Sequence, residues 1–431
     1  MAVYELRRSH RLESTAASCQ GGRFIAVNES TSELSQQAAP LAGVRVLDLS
    51  RVLAGPLCTQ RLADLGADVI KIERPGTGDE TRSWGPPYQG GVASYFLSLN
   101  RGKRSFALDL ATPEGHKIVV ELCGWADVVI HNFRSGTAAR LGLSSEQLEE
   151  TNPRLICLGI NGFGSDRKPV ERPGYDLIVE AESGLMSVTG SPEREPQKVG
   201  VAIVDVLTGL ESTNAILAAL HGREQSGRGA SIEVSLLDSA LAGLVNVAQG
   251  TIATGTEATR FGNAHPSIVP YDSFETADDP IVVAAANDGL WARFCAAVGL
   301  DDLVVDERFV SNPDRVRNRV ELTKLLDERF KQRTAEHWIE ALRAADVPAG
   351  RVLGVHAGIT AAAESGRAAT VRLGEGEESV EVVAPPARFN GQMQVAQTPP
   401  PSLGQHSDEI LVELGRDQAA ITKLRSDGIV G

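Results

Sequence analysis

Basic side chains stand where strands of this acidic chain should begin or end, a pattern suited to an anionic ligand. Arg74 follows DVIKIE, while Arg101, Lys103 and Arg104 precede SFALDL, and Arg134 and Arg140 follow VVIHNF. With 42 Lys and Arg against 56 Asp and Glu, the net charge is −14, so any anion must be met by local clustering. The balance gives no support to nucleic acid or an anionic membrane surface as a main partner. The five cysteines, Cys19, Cys58, Cys123, Cys157 and Cys295, form no C-x-x-C pair and no Cys/His spacing of a zinc site. They read as reduced thiols, and no metal is expected. Asp176, after Pro173 and Gly174, reads by residue type as a helix N-cap. His265 beside Pro266 reads as structural and Trp84 in SWGPP as a packing anchor, while Asn287 and Asp288, past IVVAAA, could face a pocket. The chain lacks G-x-x-x-x-G-K-[ST], H-E-x-x-H, G-x-S-x-G and G-x-G-x-x-G, which argues against ATP-driven ligation and NAD chemistry. GINGFG, residues 159–164, has its glycines at the wrong offsets for a dinucleotide loop.

The elements that must position these residues alternate in type. VRVLDLS is a short apolar strand, AGPLCTQRLADLGA a helix and DVIKIE a second strand, so a parallel β-α-β unit is expected. The unit recurs through TPEGHKIVVELCGWA, with Thr112 as cap and Pro113 in the first turn, then ADVVIHNF, SSEQLEETN and RLICLGINGFG. Right-handed crossovers then predict a doubly wound, Rossmann-like α/β sheet covered on both faces. Residues 199–222 and 231–247 read as two apolar helices buried around most of their circumference. After Gly262 a smaller α+β unit is expected from DPIVVAAAN, LWARFCAAVGL, RVELTKLLDERFKQ and AEHWIEALRAA. A proline-rich strap over 384–401 and a last helix, SDEILVELG, should lead back to the first unit. The expected partition is a flexible extension over 1–40, a large domain over 41–248, a small domain over 262–383, and 384–431 completing the large domain. No apolar run approaches a membrane span and no secretory signal pattern is evident, so the cytoplasm is the expected compartment. The mitochondrial matrix replaces it if residues 1–40 are a transit peptide, against which Glu5, Glu13, Glu29 and Glu33 argue.

RVLDLSRVLAGPLCTQRLADLGADVIKIERPGTGDETRSWGPP, SLNRGKRSFALDL, HNFRSGTAARLGL, RPGYDLIVEAESGLMSVTG and GRGASIEVSLLDSAL, taken in order from Gly43 to Leu414, resemble the class III CoA-transferases, the family of formyl-CoA and carnitine CoA-transferases. The resemblance implies a Rossmann-like large domain built from both chain ends, an inserted small domain and an interlocked homodimer. It implies Asp176 as catalytic nucleophile, attacking an acyl-CoA to give an aspartyl anhydride and then an aspartyl-CoA thioester. Coenzyme A is then a co-substrate, a small carboxylic acid the acceptor, and no cofactor is permanently bound. By the same resemblance Val52, Leu53, Arg74, Leu108, Asn132, Phe133, Arg134 and Arg140 line the CoA site. The glycine-rich loop of the formyl-CoA member has no counterpart here, and Leu53 stands where that member has glutamine, so formyl specificity is not expected.

The rival with the same fold is a 2-methylacyl-CoA racemase, which pairs a histidine with an aspartate across the α-carbon. Here Tyr175 precedes Asp176 where the racemase motif has histidine, and no histidine occurs in 132–220. GNAHPSIVPYDSF and RVRNRVELTKLLDERF look more like dicarboxylate-handling members, such as succinyl-CoA to glutarate transferases. Arg51 could pair a second carboxylate.

Overall fold

A computed structural model describes residues 39–167, 172–376 and 379–431, and residues 39–431 belong to one compact unit. Most of the expected N-terminal extension lies outside the described residues. Six parallel strands form the main sheet: β1 (Arg45–Asp48), β2 (Asp68–Glu73), β3 (Lys103–Ala107), β4 (Val128–His131), β5 (Ile156–Asn161) and β6 (Ala230–Ser235). Their spatial order is β3-β2-β1-β4-β5-β6, the doubly wound arrangement expected from the alternating pattern. Register explains why the strands read as continuous apolar runs. Val46 is flanked by Val69 and Val128, and all three face one core. Leu47, Ile70, Val129 and Cys157 align one residue later and face the other.

Helix α1 (Ala54–Asp64) covers the first face with α4 (Ile203–Ser226), while α2 (Pro113–Trp125) covers the second. Thr112 caps α2 by accepting the Gly115 N–H at 3.0 Å, with Pro113 in the first turn. Gly209 lets α4 lie close on α1, because a Cβ there would sit 2.7 Å from the Ala54 carbonyl oxygen. The C-terminal helices Ser407–Glu413 and Gln418–Ser426 add Ile410, Leu411, Ile421 and Leu424 to the second core. Val430 then bridges to Leu108.

Three sequence expectations change. The expected helix over 231–247 begins as β6, which pairs with β5 through Ile232 and Val234. The helix proper starts at α5 (Leu236–Gly243), capped by Ser235, and α6 (Val245–Thr254) follows. Burial is also one-sided: α4 buries Val204, Thr208, Gly209, Ser212, Thr213, Ile216 and Arg223, and α6 buries none of its residues. Leu210, Leu241, Val245 and Ile252 stay exposed. Finally, α4 is long and apolar enough by length and composition to cross a membrane, contrary to the expectation that no run approaches that length. It lies here along the sheet, with Arg223 donating to the Asp127 carboxylate at 3.2 Å.

A second sheet, Tyr271–Phe274, Ile281–Ala284 and Ala349–Arg351, is antiparallel. Its own core holds Phe274, Trp291, Phe294, Phe330 and Trp338. The chain then passes back along the first sheet, where Gly102 N–H donates to Thr398 O and the Arg82 guanidinium to Pro401 O.

Candidate active site

In a doubly wound sheet the ligand crevice opens where strand order reverses, here beyond the carboxyl ends of β1 and β4. The β1–α1 turn there is held in an uncommon shape. Val52 has φ 72°, a left-handed conformation costly for a β-branched residue. Its N–H faces the Asp79 carboxylate at 3.3 and 3.4 Å. Asp79 is in turn held by Lys71 at 3.0 Å, both side chains being fully buried, and by the Thr81 backbone and hydroxyl. Next door Lys103 reaches Asp48 at 3.1 Å, again fully buried. Burial alone would raise the Asp48 carboxyl, yet Lys103, Lys71 and the hydroxyls of Ser50 and Thr59 bring it down to about 2. Removing one partner of such a pair typically costs about 3–5 kcal/mol. This charged floor fixes the turn.

Across the crevice, Asn132 accepts the Arg51 N–H at 3.0 Å and donates to Arg51 O at 2.7 Å. The turns after β1 and β4 are thereby locked together. Phe133 stacks on His131 with ring centroids 4.9 Å apart. Burial pushes the His131 imidazole down to about 4, so it is neutral at neutral pH.

The residues expected to line a CoA site thus gather at the carboxyl edge. Val52 and Leu53 end the β1 turn, Arg74 follows β2, Leu108 follows β3, and Asn132, Phe133 and Arg134 follow β4. Arg140 closes the short helix Thr137–Arg140 beyond them. Among the described residues Arg74 and Arg134 have no carboxylate partner and are exposed. The other basic residues singled out by pattern have different work. Arg101 pairs with Asp64 at 2.7 Å and Arg104 with Asp68 at 2.7 Å, and Lys103 belongs to the buried floor. These three are structural, since their charges are already neutralised. Arg51 is likewise bonded to Glu80.

Asp176 is the first residue of α3 (Asp176–Glu182) and does not cap that helix, because Tyr175 takes the N-cap position. Its carboxylate turns instead to the start of α4, where Oδ1 accepts N–H bonds from Val204 at 2.8 Å and Asp205 at 3.2 Å. It therefore satisfies amides that every helix start leaves free. Gly162 and Gly174 permit this approach, since a Cβ on Gly174 would fall 2.5 Å from the Gly162 Cα.

Asp205 was not singled out by sequence pattern. It stands in the first turn of α4, and its carboxylate accepts no hydrogen bond among the described residues. Desolvation first, and the Asp176 charge second, push its carboxyl up to about 7. The Tyr95 phenol is pushed up to about 12 by burial and by the charges of Asp205, Asp176 and Asp79. It keeps its proton at neutral pH and can donate a hydrogen bond. The missed signal was an acid inside the apolar run AIVDVLTGL.

Comparison with known proteins gives a concordant result. The description CoA-transferase family III matches residues 41–407. The human succinyl-CoA:glutarate CoA-transferase is 38% identical over 421 residues, covering 95% of this chain and 94% of that one. The Agrobacterium fabrum succinate–glutarate CoA-transferase is 39% identical over 391 residues, covering 89% and 98%. Among solved structures, a CAIB/BAIF family protein from Brucella suis superposes with TM-score 0.78 at 40% identity, covering 88% of this chain and 100% of that one.

Proposed function

We propose how this chain, which belongs to CoA-transferase family III and is an acyl-CoA:carboxylate CoA-transferase, carries out the transfer. The Asp176 carboxylate attacks the thioester carbonyl of the donor. The carbon–sulfur bond breaks, CoA leaves as thiolate, and a mixed aspartyl anhydride remains. The thiolate then attacks the aspartyl carbonyl and expels the first acid as its carboxylate. The acceptor carboxylate attacks the resulting aspartyl-CoA thioester, expels CoA as thiolate and forms a new anhydride. Thiolate attack on the new acyl carbonyl gives the product thioester and frees Asp176. Bonds made equal bonds broken, so no nucleotide is consumed.

One observation carries the choice of nucleophile. The motif resemblance points to Asp176, and its half-buried carboxylate is held in place at the start of α4, where Oδ1 accepts the N–H groups of Val204 at 2.8 Å and Asp205 at 3.2 Å. A carboxylate fixed in this way is positioned for attack without further ordering.

We further assign CoA to the carboxyl edge of the sheet, along Val52, Leu53, Arg74, Leu108, Asn132, Phe133, Arg134 and Arg140. Arg74 and Arg134 supply charge to its phosphates. A succinyl-type donor and a dicarboxylate acceptor follow from the named activities of the two relatives. An interlocked homodimer, with 262–383 inserted into a large domain of 41–248 and 384–431, would cover the exposed Leu210, Leu241, Val245 and Ile252.

The test is to incubate the enzyme with succinyl-CoA without acceptor, add hydroxylamine, and map the hydroxamate by mass spectrometry. The label is expected on Asp176, in the peptide containing RPGYDLIVE. A label on Asp205 instead would move the role to that residue. No label, together with deuterium uptake at a substrate α-carbon, would overturn covalent catalysis altogether.

A further inference from the structure

One cation of the crevice is paired in a way that a ligand can undo. Arg51 stands in the β1–α1 turn immediately before Val52, and Asn132 holds both its backbone groups, the N–H at 3.0 Å and the carbonyl at 2.7 Å. Its side chain bonds to Glu80, the first residue of the short helix Glu80–Ser83. The two side chains are 50% and 44% exposed, whereas those of Arg101 and Asp64 are 3% and 4% exposed. An exposed pair contributes little, because water screens it and the ordering of two long side chains opposes it. Parting a buried pair strands a charge. Arg51 therefore changes partners at small cost, and Arg101 does not.

The wall beside it is apolar. Val52, Leu53, Tyr95, Ala202 and Val206 pack in one hydrophobic cluster. Ala202 and Val206 bracket Val204 and Asp205, whose N–H groups hold the Asp176 carboxylate. The cluster thus joins the turn that carries Arg51 to the turn that anchors the nucleophile. Trp84, directly after Glu80–Ser83, meets Tyr95 edge-on with ring centroids 5.5 Å apart, which sets Glu80 beside the same cluster. Methylene groups fit such a wall, and a carboxylate at their far end fits a cation at its rim.

We propose that Arg51 selects dicarboxylic acids: the far carboxylate of the substrate displaces Glu80 and takes the guanidinium. This rests on the dicarboxylate reading of the substrates given above. The planar guanidinium offers two parallel N–H groups, which a carboxylate accepts together. One anion leaves for water as another arrives, so the exchange strands no charge. A monocarboxylic acid of equal length has nothing to put in place of Glu80 and leaves the pair as it stands. Other cations of the crevice are committed elsewhere, Arg82 to Glu73 at 2.7 Å and Lys71 and Lys103 to the buried floor. The rival is Lys198, which is exposed before α4 and donates to Val199 O at 2.9 Å. Its single ammonium lacks the fork and lies outside the apolar cluster.

The experiment measures transfer from succinyl-CoA to glutarate and to valerate, an acid of the same length with one carboxylate. In a two-stage exchange, kcat/KM for the acceptor reports only the stage after the donor acid has left. Arg51→Gln is expected to lower kcat/KM for glutarate by about 10- to 150-fold and that for valerate by less than about threefold. Arg51→Lys keeps the charge without the fork and should retain part of the preference. Glu80→Gln removes the competing anion and should lower KM for glutarate while leaving valerate unchanged. Lys198→Gln should leave the ratio of the two acids as in the wild type. A parallel loss for both acids in Arg51→Gln would mark a structural role and overturn the proposal. So would a glutarate KM that Glu80→Gln fails to lower, or a preference abolished by Lys198→Gln. The wild type separates the two readings. If it prefers valerate, the dicarboxylate reading itself is refuted; if it prefers glutarate and Arg51→Gln keeps that preference, Arg51 alone is refuted.

Discussion

Asp205 is desolvated beside Asp176, so its replacement by asparagine should make the protein more stable. Its carboxyl is moved from 3.8 to about 7, first by desolvation and then by Asp176. Roughly 3 pKa steps at 1.36 kcal/mol each amount to about 4 kcal/mol. Because the folded-state value lies above the unfolded one, this contribution is whole below about pH 4 and is lost as pH rises through about 7. Asparagine is near in shape and carries no charge, so Asp205→Asn escapes the loss. At pH 8 it should exceed the wild type by about 2–4 kcal/mol, the lower figure allowing for solvent relaxation around the half-buried carboxylate. At pH 4 the two should agree within about 1 kcal/mol. Urea titrations followed by far-ultraviolet circular dichroism at both pH values and one protein concentration measure the difference. Equal stability at pH 8, or the same difference at both pH values, would refute the argument that burial and Asp176 raise the Asp205 carboxyl.

The basic residues divide into two classes with opposite expected behaviour. Arg74→Gln and Arg134→Gln should each weaken CoA binding by about 10- to 150-fold, from about 1.5–3 kcal/mol per charge-assisted contact, with the effect shrinking at high salt and the fold unchanged in circular dichroism. Isothermal titration with free CoA checks this, and an unchanged Kd would remove that arginine from the site. Lys103→Met should instead strand Asp48 as an uncompensated buried charge and lower stability by about 3–5 kcal/mol. Thermal unfolding reads it, and a variant as stable as the wild type would show that the buried floor does not need the lysine.

Much of the fold was legible because its signals are local. The β1 and β2 strands read as apolar runs because both faces of the sheet are covered, and Thr112 with Pro113 marked the start of α2 through capping alone. The sixth strand was misread because ASIEVSLLDSAL has no break in composition between strand and helix. Only pairing with β5 makes residues 230–235 a strand. Likewise, apolar content suggested helices buried all round, whereas α4 is held along one stripe and α6 has no buried residue. Composition records how apolar a helix is, not what covers it.

The sequence by itself determined the alternation of strand and helix, the order of the motifs and hence the family and its CoA chemistry, because these depend on residue types at short spacing. It also determined which residues would meet at the carboxyl edge, once the strand order was inferred. The tertiary structure decided which charges are free. Among the described residues Arg74 and Arg134 have no carboxylate partner, while Arg101, Lys103 and Arg104 are neutralised by acids 37, 55 and 36 positions away in the chain, respectively. It also decided how the two aspartates differ, since Asp176 and Asp205 are equivalent as residue types. Two backbone N–H groups anchor Asp176 and burial raises the Asp205 carboxyl, and both effects arise from groups brought together only when α3 docks against the first turn of α4.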